Sequence, residues 1–227
     1  MKRIAFVELS HIFSNQIKLP YSTGCIWSYC ETDTEITNNY SFDVHDWIYV
    51  LDGEFDIDKT AQQLAKCDII GVSYFVWNTH VSDKLCAKVR RINPKCVIIY
   101  GGLGIPKYGR CDKFLEDRPF IDVIVHYEGE IVFKNVLKAL HRKEDLRNVK
   151  GITTPFFSTP LDDRVKDISS MPSPYLDGSF DDLLAIKNHS YEWESLVELE
   201  RGCPYTCTFC EVGDKHWTKI YLSLIHI

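Results

Sequence analysis

Along residues 1–150 the apolar residues fall into short runs and helical spacings. Ile4 to Leu9 is a run of the length expected for a strand buried on both faces, and Pro20-Tyr21-Ser22-Thr23-Gly24 reads as a loop entering a helix. A second strand is expected around Trp47 to Leu51. The most regular stretch follows: Asp68 to Tyr74 as a strand, Val81, Leu85, Val89 and Ile92 at helical spacing, and Cys96 to Tyr100 as the next strand. Strand, helix and strand at this separation make a parallel crossover. Gly101-Gly102-Leu103-Gly104 closes that strand, and a short helix is expected over Cys111 to Leu115. Ile121 to Val125 supplies a fifth strand, and Val132, Phe133, Val136, Leu137 and Leu140 share one face of a last helix. Five parallel strands alternating with helices predict an α/β, doubly wound domain over residues 1–150.

The pattern then changes. Pro155, Pro160, Pro172 and Pro174 fall between residues 151 and 190, around Ser169-Ser170-Met171-Pro172-Ser173-Pro174. Proline fixes its own φ and keeps the preceding residue out of the helical region, so residues 151–190 read as an extended linker. Beyond it, Ser195 to Leu199 reads as a strand delivering a cysteine-rich loop, and the residues after Cys210 are expected to open a helix. Residues 191–227 are thus the first strand-loop-helix unit of a β/α barrel.

Composition narrows the classes. With 227 residues, 45% of them hydrophobic, the chain has enough apolar material for one full domain and part of another. A net charge of −6 and the lack of any lysine or arginine run argue against a nucleic-acid surface. The apolar run after Met1-Lys2-Arg3 stops at Glu8, too short for a signal peptide or a membrane span. Of nine cysteines, six (Cys25, Cys30, Cys67, Cys86, Cys96, Cys111) are scattered without repeated spacing, which fits a reducing cytoplasm better than a disulfide framework.

The other three carry chemistry. Glu200-Arg201-Gly202 runs into Cys203-Pro204-Tyr205-Thr206-Cys207-Thr208-Phe209-Cys210, a Cys-x3-Cys-x2-Cys triad with an aromatic residue before its last member. Three thiolates on one tight loop leave one iron of a four-iron cluster open to an outside chelator. A zinc loop is the rival, but structural zinc takes four ligands in paired knuckles, and a fourth is missing here unless His216 serves. The triad resembles the signature of the radical S-adenosylmethionine superfamily. That resemblance implies that Cys203, Cys207 and Cys210 hold a 4Fe-4S cluster, that S-adenosylmethionine chelates the open iron with the backbone around Phe209 near its adenine, and that an external one-electron reductant of flavodoxin or ferredoxin type feeds the cluster.

In open parallel sheets, ligands sit beyond the carboxyl ends of the strands, where strand order reverses. The residues expected there are Ser73, Tyr74 and Asn78, then Gly101, Gly102 and Gly104, and Tyr127-Glu128-Gly129-Glu130. A dinucleotide site is disfavoured, because Lys107 stands where a third glycine belongs and the glycines follow a late strand. Together with the double glycine before Pro106 and Pro172-Ser173-Pro174-Tyr175-Leu176-x-Gly178, these segments are similar to the cobalamin-binding domain that precedes the radical domain in one branch of that superfamily. The resemblance implies cobalamin contacts at Ser73, Tyr74, Asn78, Gly101, Gly102, Gly104, Glu128 and Gly129. Asp43-x-His45 has Ile48 where the cobalt-ligating motif of cobalamin mutases has glycine, so His45 is not expected to bind cobalt.

The expected activity is that of a cobalamin-dependent radical enzyme, a methyltransferase acting on an unactivated carbon or phosphorus centre of an unknown substrate through a 5'-deoxyadenosyl radical. The rivals are a cyclase or rearrangement enzyme with the same cofactors, and a non-catalytic cobalamin carrier. No catalytic side chain stands out. Only 17 residues follow Cys210, against ~180 for six strand-helix units. The chain is therefore expected to be an N-terminal fragment, inactive alone, whose final few residues are foreign to the native protein; whether all of residues 221–227 are native is left open.

Overall fold

The computed structural model describes residues 1–43, 48–50, 55–185, 191–210, 212–213 and 215–222. Strand β1 (Lys2–Ser10) alternates between two cores, with Ile4 and Phe6 in one and Ala5, Val7 and Leu9 in the other. Such two-sided burial requires helices on both faces of the sheet. The chain continues through β2 (Gln16–Lys18), α1 (Tyr21–Glu31), α2 (Thr34–Asn39), β3 (Tyr40–Asp43) and β4 (Ile48–Val50). Next, α3 (Ile57–Leu64) starts at Asp56, whose carboxylate accepts from the Asp58 and Lys59 amides. Then come β5 (Ile69–Ser73), α4 (Thr79–Ile92), β6 (Val97–Gly101), α5 (Asp112–Glu116), β7 (Val123–Val125) and α6 (Gly129–Arg142).

The main sheet runs β3-β1-β5-β6-β7-β8, with β8 at Ile152–Thr153. All its pairings are parallel except β7 with β8, and β4 pairs with the last three residues of β1. Strand order reverses between β1 and β5, because the chain fills one side of β1 before returning to build the other. Helices α1, α2 and α6 cover the face of Ile4 and Phe6, while α3, α4 and α5 cover the face of Ala5 and Val7. The α/β reading with a mostly parallel sheet is what the chain adopts. Beyond the expected parallel strands, the sheet also holds β3 and the antiparallel β8. Of the strand expected around Trp47 to Leu51, Ile48–Val50 is present, and Trp47 and Leu51 lie outside the described residues, as does His45.

The proline-rich segment folds back on the sheet. Ile152 and Thr153 are buried in β8, and Val165, Ile168 and Phe180 are buried farther on, ahead of α7 (Asp181–Ala185). The prolines prevent a long helix, but the apolar residues between them still seek the core. Phe180 packs on α1, where a Cβ on Gly24 would come within 2.4 Å of its ring. Strand β9 (Glu192–Glu194) then pairs in parallel with β2, and β10 (Glu200–Arg201) pairs antiparallel with β11 (Tyr221–Leu222).

Two local expectations are corrected. Ser195 to Leu199 is not a strand: the Tyr175 hydroxyl accepts from the Leu196 amide and donates to the Leu196 carbonyl, taking the bonds a ladder would have used. Among the described residues after Cys210 there is a turn and a 3-10 segment, Lys215–Trp217, and no α-helix. The backbone there is tied back instead, with the Trp217 carbonyl accepting from the Cys203 amide at 2.8 Å.

Candidate functional site

The parallel strands end at a cavity of about 410 Å³ on the face covered by α1 and α6. This lies within the ~300–1,000 Å³ typical of small-molecule sites. Ser73 ends β5 at its wall, Gly101 ends β6, and Glu128 and Gly129 lead into α6. The cavity is therefore built where an open parallel sheet offers a crevice.

The glycines differ in what they do. Gly102 has φ +107°, and a Cβ there would lie 2.7 Å from the Tyr74 carbonyl oxygen, so the turn itself demands glycine. At Gly101 a Cβ would meet nothing closer than 3.7 Å. The protein does not require glycine at that cavity-lining position; its lack of a side chain leaves room for a ligand.

Three of the expected contacts lie behind the cavity wall. Asn78 is fully buried, accepts from the Phe75 amide and donates to the Leu9 and Ser73 carbonyls, thereby pinning the turn after β5. Tyr74 turns to the opposite core and donates to Asp83, and Gly104 packs against it. Phe209 is 90% exposed and stands away from the cavity.

Polar groups frame the cavity. Glu8, beneath the start of α1, accepts from Thr23 Oγ1 at 2.6 Å and Ser22 Oγ at 3.3 Å, and Ser22 in turn meets Ser73 Oγ at 3.4 Å. Burial raises the Glu8 carboxyl above its usual range, and these hydroxyls oppose the rise. His126 follows β7, with Nε2 2.8 Å from Thr153 Oγ1, and burial lowers its pKa to about 4, so it stays neutral near pH 7. Tyr127 adopts a left-handed φ of 60°, unusual for a bulky residue, and its ring stacks on His216 at 4.3 Å.

The Glu128-Gly129-Glu130 turn carries two buried ion pairs. Glu128 accepts from Arg164 Nε at 3.1 Å and the Val165 amide at 2.6 Å, both partners in the proline-rich segment. Arg164 also donates to the carbonyls of Arg201 and Lys219 and lies over Trp217. Glu130 accepts from Arg201 Nη2 at 2.8 Å, and Glu198 accepts from the same guanidinium at 2.7 and 2.9 Å. Nη1 of Arg201 is buried and has no hydrogen-bond partner among the described residues. The Glu-Gly-Glu turn is legible in the sequence, but the roles of Arg164, Arg201, His126 and Glu8 are not: apart from Glu198, three residues before Arg201, the side-chain partners named here lie 14 or more residues away along the chain.

Cys203 and Cys210 are half-buried and Cys207 is exposed. Cys210 donates its amide to the Cys207 carbonyl, and Gly213 packs so closely that a Cβ there would lie 2.2 Å from that same oxygen. Their donor chemistry suits an iron-sulfur cluster. Among the described residues, however, no three cysteine, histidine, aspartate or glutamate side chains converge as a ligand set. The other six cysteines are buried and unbridged, and burial pushes the Cys86 and Cys96 thiols up to about 12, consistent with packing roles. Among the described residues, no helix is long and apolar enough to cross a membrane.

No family model matches the chain. Individual proteins do. It is 29% identical over 201 residues to the cobalamin-dependent radical SAM methyltransferase TokK of Streptomyces tokunonensis, covering 86% of this chain and 28% of that protein. It is 28% identical over 166 residues to an anaerobic magnesium-protoporphyrin IX monomethyl ester cyclase of Cereibacter sphaeroides, covering 67% of this chain and 26% of that one. Its fold matches the cobalamin-dependent S-adenosylmethionine radical enzyme OxsB with a TM-score of 0.70 at 20% identity, over 100% of this chain and 30% of that chain. The chain thus spans under a third of the length of these relatives. By sequence the chain is similar to a cobalamin-dependent radical SAM methyltransferase and to an anaerobic cyclase, and by fold to a cobalamin-dependent S-adenosylmethionine radical enzyme.

Proposed function

We propose that the cavity is a cobalamin site and that Cys203, Cys207 and Cys210 hold a 4Fe-4S cluster to which S-adenosylmethionine binds. The observation that carries this reading is the convergence of Ser73, Gly101, Gly102, Glu128 and Gly129 on one cavity, whose wall also includes Arg201 and Gly202 immediately before Cys203. The open wall at Gly101 suits a bulky ligand. A whole corrinoid exceeds about 410 Å³, so the cavity takes part of it and the remainder lies across the strand ends. Tyr74, Asn78 and Gly104 then shape the site from behind.

In this reading residues 1–150 are the cobalamin domain, 151–190 the connector and 191–227 the start of the radical domain. When bound, the cofactors supply a 5'-deoxyadenosyl radical and a transferable methyl group; the chain positions them and excludes water. The whole protein is a cytoplasmic methyltransferase acting on an unactivated carbon or phosphorus centre, supplied by an external one-electron reductant. The match to a cyclase supports a second reading in which the same cofactors drive ring formation.

The cluster assignment is tested by anaerobic reconstitution with iron and sulfide. Wild type takes up a full cluster complement with the visible absorbance of an iron-sulfur centre, and Cys207→Ala does not. An intact cluster in Cys207→Ala contradicts the assignment. In a protein carrying this sequence within a complete radical domain, release of 5'-deoxyadenosine separates an enzyme from a carrier.

A further inference from the structure

The cysteine loop and the cavity share backbone. Arg201 and Gly202 line the cavity just before Cys203, and Val212 and Trp217 line it after Cys210. The loop's base is closed by the β10–β11 pairing and by the hydrogen bond from the Cys203 amide to the Trp217 carbonyl. The triad is thus an excursion whose two roots are pieces of the cavity wall, although none of its three thiols lines the cavity.

One side chain joins the two across the interface. Arg201 is only 10% exposed and links Glu130, in the first turn of α6, to Glu198, on the approach to the loop. Removing a buried cation from between two carboxylates leaves like charges facing each other, so this contact has few alternative arrangements. Its Nη1 is buried and has no hydrogen-bond partner among the described residues. A ligand in the cavity meets the same walls that fix the root of the loop.

We propose that Arg201 is a positioning residue that couples occupancy of the cavity to the conformation of the cysteine loop, so that a corrinoid in the cavity holds Cys203, Cys207 and Cys210 in a more ordered, less reactive arrangement. This rests on the cavity being a cobalamin site. By linkage, whatever orders the loop also tightens the corrinoid, and couplings of this kind are typically roughly five-fold or more in affinity.

The test uses the 227-residue chain, with cyanocobalamin as the probe and alkylation of each cysteine followed by mass spectrometry. Equilibrium dialysis first establishes saturation. With saturating cyanocobalamin, alkylation of Cys203 and Cys210 is expected to slow by roughly five-fold or more. The buried Cys67, Cys86, Cys96 and Cys111 serve as internal controls for global stability. Arg201→Met, also at saturation, is expected to lose the protection, while Arg201→Lys, which keeps a cation between the carboxylates, retains part of it. If Arg201→Met does not fold, Glu198→Gln takes its place and is expected to weaken the protection. Equal protection in wild type and the uncoupled variant means direct shielding by the ligand and overturns the coupling. Bound cyanocobalamin without any change in alkylation overturns it as well. Failure of wild type to bind cyanocobalamin removes the cobalamin site itself, and the coupling with it.

Discussion

Glu8 and His126 lie near the same cavity and have opposite pH signatures. Burial raises Glu8, so the folded state holds its proton more tightly than the unfolded chain does. Its contribution to stability is fully present below its ordinary value of 4.5 and is lost as pH rises through the raised value. Burial lowers His126 from 6.5 to about 4, so its contribution is present above 6.5 and is lost as pH falls through about 4, a loss of about 3 kcal/mol. Thermal melts across this range should therefore respond in opposite directions: Glu8→Gln removes a stability loss on the alkaline side, and His126→Gln removes one on the acid side. A pH profile unchanged by either substitution contradicts these assignments. Neither residue was legible in the sequence, because a glutamate in an apolar strand and a single histidine carry no spacing signal. Ser73 and Gly102 were legible, since each sits at the end of a recognisable strand and Gly102 meets a backbone demand that only glycine satisfies.

At the scale of elements, legibility followed periodicity. α4 and α6 show their buried faces as 3.6-residue patterns, and β5 and β6 as apolar runs, so all four were expected near their observed bounds. The segment after residue 150 was harder to read. Proline excludes helix but does not determine whether a segment is free or docked, and Phe180 found its partner at Gly24, far back in the sequence. The docking is testable: Phe180→Ala is expected to destabilise the chain by about 3 kcal/mol or more in urea unfolding, as for other buried aromatic truncations. A change below about 0.5 kcal/mol is what a loosely attached linker gives. Ser195 to Leu199 shows the converse failure. Its composition suits a strand, but strand formation depends on a neighbour, and its bonding goes to the Tyr175 hydroxyl instead.

At the scale of the molecule, one cavity is bounded by the strand ends, by the helices α1 and α6, and by the roots of the cysteine loop. The Glu128–Arg164 and Glu130–Arg201 pairs tie these parts together from a single turn. The resemblance to the cobalamin branch reached this site through short motifs, whereas the ion pairs behind it were visible only once the chain was folded. Equilibrium dialysis of the chain against cyanocobalamin, alongside Gly101→Leu, tests whether this cavity binds a corrinoid. The substitution adds a side chain where the fold leaves room at the cavity wall, so it should block the ligand while leaving the melting temperature nearly unchanged. One equivalent is expected to bind per wild-type chain and little or none to Gly101→Leu; no binding by wild type, or equal binding by both, contradicts a corrinoid site in this cavity.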